Sequence, residues 1–470
     1  METKKRNSFS GSIGFILAAA GSAVGLGNIW RFPYLAARDG GGLFLLVYLV
    51  LTLTFGFTLL TTELAIGRKT KQSASTAFGV VNKKWKSLGI LPYAICMIIL
   101  PYYCVIGGWI LKYFVAFVCG DMNKTLNKDY FSNFISDQWW PIIFAVIFLG
   151  ATAIIVFNGI NDGIEKFSKF LMPILILIII IVAIFSITIK QIDANGVTRT
   201  GFQGFKMYLI PNFDGITVKD FISVVVDAVG QLFYSISVAM GIMVTYGSYV
   251  KDEEHIGKST NMIEVFDTGV AFLAGAMVIP VVFTYMGKDG LAASGPSLIF
   301  ESLPKAFSQM GDVGGIVGIL FFAMVLFAAI TSSVSLMENL VSSNIDVFHV
   351  SRKKSVVITT LIVLAVGVIV CLGYNILAVN VDLPNGSTNN TILDILDYSS
   401  NNLLMPLLAL LTCILIGWVV KPKYVIDEVE KTGKKMGRKV LYVIMIKFVA
   451  PICLIALLLK SLGLLDFLLN

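Results

Sequence analysis

Charge is scarce in this chain of 470 residues. Asp, Glu, Lys and Arg make up 14% of it, against about 25% in a soluble domain. Apolar residues take the space at 56%, and the mean hydropathy is +0.83. A soluble protein this apolar would expose large adhesive patches. The composition therefore excludes an ordinary soluble enzyme and places most of the chain inside a bilayer. Histidine is nearly missing: His255 and His349 both sit at the ends of apolar runs and are expected in solvated loops. The six cysteines (Cys96, Cys104, Cys119, Cys371, Cys413, Cys453) lie in or beside apolar runs, and none has CxxC spacing. That spacing argues against a metal or disulfide framework and predicts small buried residues. There is no Walker loop, nucleophile–base arrangement or metal-ligand spacing, so the chain is not expected to be an enzyme. The net charge of +7 does not mark a nucleic-acid partner, because the basic residues are confined to loops. No cleavable signal peptide is expected, since METKKRNSFS runs straight into a full-length span.

Long apolar runs are present in number. A helix needs about 20 apolar residues to cross the hydrocarbon core. Eleven segments qualify, near 10–38, 41–67, 87–119, 139–157, 163–189, 221–250, 258–287, 313–348, 355–380, 392–420 and 438–468. The stretch 288–310 reads as a loop that folds back onto the protein. Lys and Arg in the loops set the orientation. One side holds 23 of them and the other 11, with Arg31 and Lys447 inside spans. The richer side includes the N-terminal tail, which is therefore expected in the cytoplasm. Eleven spans put the C-terminus outside, and the protein is expected in the inner (cytoplasmic) membrane.

Two spans do not read as ordinary helices. The first contains AGSAVGLGN (20–28), and the sixth contains FYSISVAMG (233–241). Glycine destabilises a helix interior by about 1 kcal/mol relative to alanine. Small residues also serve close helix packing. Their occurrence at matching places in two five-helix halves points instead to interrupted helices and a midplane binding site. Eight ionisable residues fall inside spans: Arg31, Glu63, Asp227, Glu264, Asp267, Glu338, Asp394 and Asp397. Such groups are costly in a membrane and mark function unless solvated near an end. Asp267, just before FLAGAMVIP, is the hardest to assign to a solvated end.

The motif AVGLGNIWRFPYLAARDGGGLF (23–44) resembles the first-span signature of the neurotransmitter:sodium symporter family. The resemblance continues through TELAIGR (62–68), PYYCVIGGW (101–109), VGQLFYSISVAMG (229–241), TYGSYV (245–250), SGPSLIFESLP (294–304), AAITSSVS (328–335) and LDILDYS (393–399). It implies an all-α membrane protein of the leucine-transporter fold, with eleven transmembrane helices. Residues 10–189 and 221–420 would be inverted five-helix repeats, 438–468 an eleventh span, and spans one and six would be broken at the midplane. The implied activity is symport of an amino acid with sodium across the lipid bilayer. A transport-deficient sensor of the same fold is the alternative.

The resemblance also implies residues. The first sodium site would take the carbonyl of Ala23, the amide of Asn28, Ser235, Asp267 and the substrate carboxylate. The second would take the carbonyls of Gly21, Val24 and Ala328 and the hydroxyls of Thr331 and Ser332. Substrate would meet Ser22, Ala23, Gly25, Leu26, Gly27, Ile99, Tyr103, Tyr234, Ser235, Ser237, Met240, Ser332 and Leu336. Arg31 and Asp397 would close the outer gate; Arg6 and Asp346, with Tyr249 nearby, the inner one. Gly163 and Pro173 in the fifth span match some bacterial members; they imply either a static kink or a helix that unwinds to hydrate the second sodium site, and the latter favours a carrier over a sensor.

The sequence departs from the family at four places. Asp267 stands where the family usually has Asn. Ala271 stands where chloride-dependent members have Ser. Ala239 replaces Gly, and Met240 replaces an aromatic residue. A fixed carboxylate at 267 implies no chloride requirement. An apolar wall of Ile99, Leu26, Leu336, Met240 and Tyr234, with Gly25 where monoamine carriers have Asp, implies a hydrophobic or aromatic amino acid.

Overall fold

Lipid offers the backbone no hydrogen-bond partners, so runs this apolar must satisfy their own amides and carbonyls as helices. The computed structural model describes residues 8–127, 129–192, 196–213, 215–291 and 296–464, without the side chains of 288 and 289. Among the described residues, nine helices are long and apolar enough to cross a bilayer: Gly42–Thr70, Lys83–Val118, Trp140–Phe157, Ile160–Thr188, Ile256–Gly287, Asp312–Phe348, Arg352–Leu372, Ile392–Val419 and Lys439–Ser461. A tenth is a bent pair, Ser12–Ala23 and Gly27–Arg38, meeting at 54°. The remaining expected span, the sixth, is two helices, Val218–Ser235 and Ile242–Gly247. It is not among the ten, because neither piece is both long and apolar enough to cross alone. The expected count of eleven is thus not reached by length and apolarity.

The breaks fall at the small-residue motifs. In the first, Val24 leaves the helical region at ψ 93°, and a wide turn at Gly27–Arg31 restarts the helix. In the second, Ser237, Ala239 and Gly241 take φ of 52°, 58° and 78°. Three left-handed residues in five cannot continue a right-handed helix.

Ser12–Ala23 is enclosed by Lys166–Thr188, Ile256–Gly290 and Asp312–Phe348. Ile242–Gly247 lies against Phe57–Thr70, and Asp312–Phe348 lies against Ile90–Val118. The broken helices therefore form the middle of the bundle. The helix of Val218–Ser235 starts with a capping box in which Thr217 and Asp220 satisfy each other's backbone amides. Thr391 and Asp394 do the same before Ile392–Asp397, so Asp394 is a capping residue. A two-stranded hairpin, Lys190–Ile192 with Thr198–Thr200, lies outside the bundle's helices. The stretch 288–310, expected as a loop, is helical over Leu298–Ser308, and Phe300 packs on Trp109 and Tyr113.

Candidate substrate and cation site

Breaking a helix frees amides and carbonyls that must find other partners. Side chains supply them. Gln231 Nε2 donates to the Gly27 carbonyl at 3.0 Å. The hydroxyls of Ser237 and Ser332 donate to the Ser22 carbonyl at 2.8 and 3.1 Å. Glu63 accepts from the Ala239 amide at 2.6 Å. Gln231 is absent from the expected site because it supports the broken backbone from behind rather than facing the cavity.

The acids inside spans divide by partner. Glu264 pairs with Arg438, Glu338 with Arg352, and Asp227 with Arg38 and Lys460. Asp267 is fully buried and pairs with no base among the described residues. It accepts from Ser235 Oγ at 2.7 Å, Asn28 Nδ2 at 2.8 Å and Tyr48 OH at 3.3 Å. Three neutral donors leave a formal negative charge in the core, which is expensive without a cation. Asn28 and Ser235 are themselves bonded at 2.8 Å. The structure therefore gathers one residue from each broken span and one from Ile256–Gly290 around one point. All their side chains offer hard oxygens, which suit an alkali cation and not a transition metal. The Asn28 amide faces Asp267 with its NH₂ group and must turn over to offer oxygen instead. Ala23 is buried at the end of the other half-helix, Ser12–Ala23, one residue before the break.

Part of the second expected cation set also lies together. A Cβ on Gly21 would lie 3.4 Å from Thr331 Cβ, so the first half-helix touches Asp312–Phe348 here. Thr331 Oγ1 donates to the carbonyls of Phe327 and Ala328 at 3.1 and 3.0 Å. Val24 is the residue that leaves the helix. Ser332 points its hydroxyl at Ser22, toward the cavity side.

Between the breaks lies a small cavity with polar and apolar lining residues. Of the expected substrate residues, Ser22, Gly25, Leu26, Gly27, Ile99, Tyr103, Tyr234, Ser237, Met240, Ser332 and Leu336 line it; Ala23 and Ser235 do not. Tyr102, Ile242 and Asn401 line it too and were not expected. Tyr103 is buried, and its hydroxyl has no well-formed hydrogen bond among the described residues. A Cβ on Gly25 would meet Ser332 Oγ at 2.8 Å, and one on Gly27 would meet the Tyr234 ring at 2.4 Å. Both glycines therefore keep the cavity open and let Tyr234 lie across it.

The gate residues are placed unevenly. Arg31 lies 5.6 Å over the Tyr234 ring. Asp397 is held by Tyr102 at 3.1 Å and Asn401 at 2.6 Å, and is not ion-paired with Arg31. Arg6 lies outside the described residues. Asp346 accepts from the Ser73 amide at 2.7 Å, and Tyr249 donates to Glu338 at 2.7 Å. At this end the Ser10 amide donates to Glu165 at 2.9 Å, and Phe9 packs against Phe15, Tyr246 and Tyr249. In the adjoining loop, Lys71 and Lys431, each 2.9 Å away, hold the Asp252 carboxyl down at about 2.

The family described as Sodium:neurotransmitter symporter family matches residues 6–133 and 133–466. The chain is 32% identical over 474 residues to the uncharacterized sodium-dependent transporter YhdH of Bacillus subtilis, covering 99% of this chain and all of that one. It is 26% identical over 402 residues to the human sodium- and chloride-dependent GABA transporter 2, covering 75% and 64% of the two chains. Among solved structures, MhsT in complex with L-phenylalanine aligns with a TM-score of 0.83 and 31% identity over 97% of this chain and 100% of that one.

Proposed function

The chain belongs to the sodium:neurotransmitter symporter family, and we propose that it uses an inward sodium gradient to import a hydrophobic or aromatic amino acid without chloride. That it is a multi-pass, sodium-dependent transporter and not an enzyme follows from the family. The observation that carries the finer reading is the buried Asp267 carboxylate, surrounded by neutral donors alone. A cation at this point would neutralise it. In chloride-dependent relatives an anion beside the sodium offsets charge; here Asp267 supplies that charge permanently. Ala271, buried one turn on, has no hydroxyl to offer a chloride ion.

The first sodium ion would be held by Asp267, Ser235, Asn28, the Ala23 carbonyl and the substrate carboxylate. The second would be held by Gly21, Val24, Ala328, Thr331 and Ser332. Tyr103 would bind the carboxylate, and the apolar walls the side chain. Gly25 leaves no acid for a lone amine, which supports an α-amino acid. The structure in which MhsT holds L-phenylalanine supports a hydrophobic or aromatic one. The reading also takes residues 10–189 and 221–420 as inverted halves, the N-terminus as cytoplasmic and the carrier as lying in the inner membrane. Two sodium ions moving with a zwitterion, at an about tenfold gradient and about 100 mV, supply roughly 7 kcal/mol, a ceiling near 10⁵-fold accumulation.

The test is uptake into proteoliposomes in chloride and in gluconate media. Wild-type uptake should need sodium and be equal in both media. Asp267→Asn should be impaired in both, and adding Ala271→Ser should restore transport in chloride only. A wild type that stops when chloride is removed overturns the charge argument.

A further inference from the structure

We propose that Asn339 and Cys96 set which side chains the carrier accepts, by holding the main chain of Met240 in place. The inference rests on the amino-acid reading of the cavity. Met240 is a wall of that cavity, and it stands between two left-handed residues, Ala239 and Gly241. No helix fixes its direction, so whatever grips its carbonyl does. Asn339 Nδ2 donates to that carbonyl at 3.0 Å, and Cys96 Sγ donates to it at 3.3 Å. The two gripping groups also touch each other, Asn339 Nδ2 to Cys96 Sγ at 3.1 Å. Asn339 Oδ1 accepts from Thr245 Oγ1 at 2.7 Å, which decides which face of the amide meets Met240. Cys96, Asn339 and Thr245 are all fully buried, and none lines the cavity.

The helices carrying the grip also carry the opposite walls. Cys96 is three residues before Ile99 on Ile90–Val118, and Asn339 is three residues after Leu336 on Asp312–Phe348. Residues three apart share a helix face, so one cluster of hydrogen bonds ties together Ile99, Leu336 and Met240. A methionine side chain is flexible enough to fit many shapes. Anchored at its base it bounds the cavity; freed, it can move aside for any side chain. Cys96 thus acts as a positioning residue, not as the inert apolar filler expected for a buried cysteine.

The experiment is competition for uptake by the full chain in proteoliposomes, with alanine, leucine, phenylalanine, tyrosine and tryptophan as competitors. The readout is the spread between the best and worst inhibition constants. In Asn339→Leu, which keeps volume and loses every hydrogen bond, the spread should shrink by about fivefold to tenfold. Cys96→Ala and Thr245→Val should shrink it less, and Thr245→Ser should keep it. These milder variants carry the test if Asn339→Leu does not fold. A spread that survives while all five affinities fall together makes the cluster purely structural and overturns the proposal. Failure of all five to compete with the wild type would sink the amino-acid reading itself, and the proposal with it.

Discussion

At the scale of single residues, the broken sixth span keeps a strain that the sequence shows only as a departure. Ala239 sits at φ 58°, where the family usually has Gly. An L-residue in this region costs about 1–2 kcal/mol, and Gly gives back about 0.5–1 kcal/mol through the entropy of the unfolded chain. Ala239→Gly should therefore raise stability slightly, by at most about 1.5 kcal/mol on that balance. The midpoint of thermal unfolding in detergent checks this. A lower midpoint would mean that the buried Cβ of Ala239, 1% exposed, contributes more by packing than the backbone loses. What could be read beforehand at this scale was residue type at the breaks: glycines, serines and an acid at 267. The partners that hold those breaks were not readable. Glu63 meets Ala239 from 176 positions away and Asn339 meets Met240 from 99, and no local pattern records such pairings.

At the scale of elements, the start of the fifth span shows how far sequence pattern reaches. Gly163 and Pro173 mark an irregular helix, and Ile160–Glu165 is a wide turn whose Ile164 amide reaches back to Gly159. Such turns keep helical dihedrals and leave no periodicity to find, although they gather at functional sites. The capping boxes at Thr217 and Thr391 were readable in principle, because their spacing is local. The tie between this turn and the first half-helix was not. Glu165 is 2% exposed, pairs with Lys169 at 2.6 Å and accepts from the Ser10 amide, and it passes where a Cβ on Gly14 would be 2.0 Å from its Oε1. Gly14→Ala should push Glu165 out and loosen the start of the fifth span, the end that the proposed orientation puts in the cytoplasm. A cysteine placed at Ser168, buried on the same helix, should then react faster with a membrane-impermeant thiol reagent applied from the cytoplasmic side. Losing one such charged contact is worth about tenfold in rate. Equal labelling in both backgrounds would show that Glu165 does not seal this end.

At the scale of the molecule, the last helix is more than a lipid-facing addition. Only 33% of the apolar window of Lys439–Ser461 is buried, yet basic residues beside both its ends reach the core. Lys460 pairs with Asp227 on the first part of the broken sixth span at 2.7 Å. Arg438 pairs with Glu264 at 2.8 Å, one turn before Asp267, lies 3.6 Å over the Phe57 ring and donates to the Leu53 carbonyl at 2.7 Å. The two pairs are unequal. Lys460 is 35% exposed and Asp227 has Arg38 as a second partner; a pair this wet contributes ~0–1 kcal/mol. Glu264 is 3% exposed, and its other oxygen has no hydrogen-bond partner among the described residues. Removing one side of a buried pair costs about 3–5 kcal/mol, because the remaining charge is stranded. Arg438→Met should therefore lower the unfolding midpoint far more than Lys460→Met, and Arg438→Met with Glu264→Gln should recover most of the loss. If the double variant is as unstable as Arg438→Met alone, the guanidinium acts through Phe57 and Leu53 and not through charge. If neither variant moves the midpoint, the last helix does not brace the core.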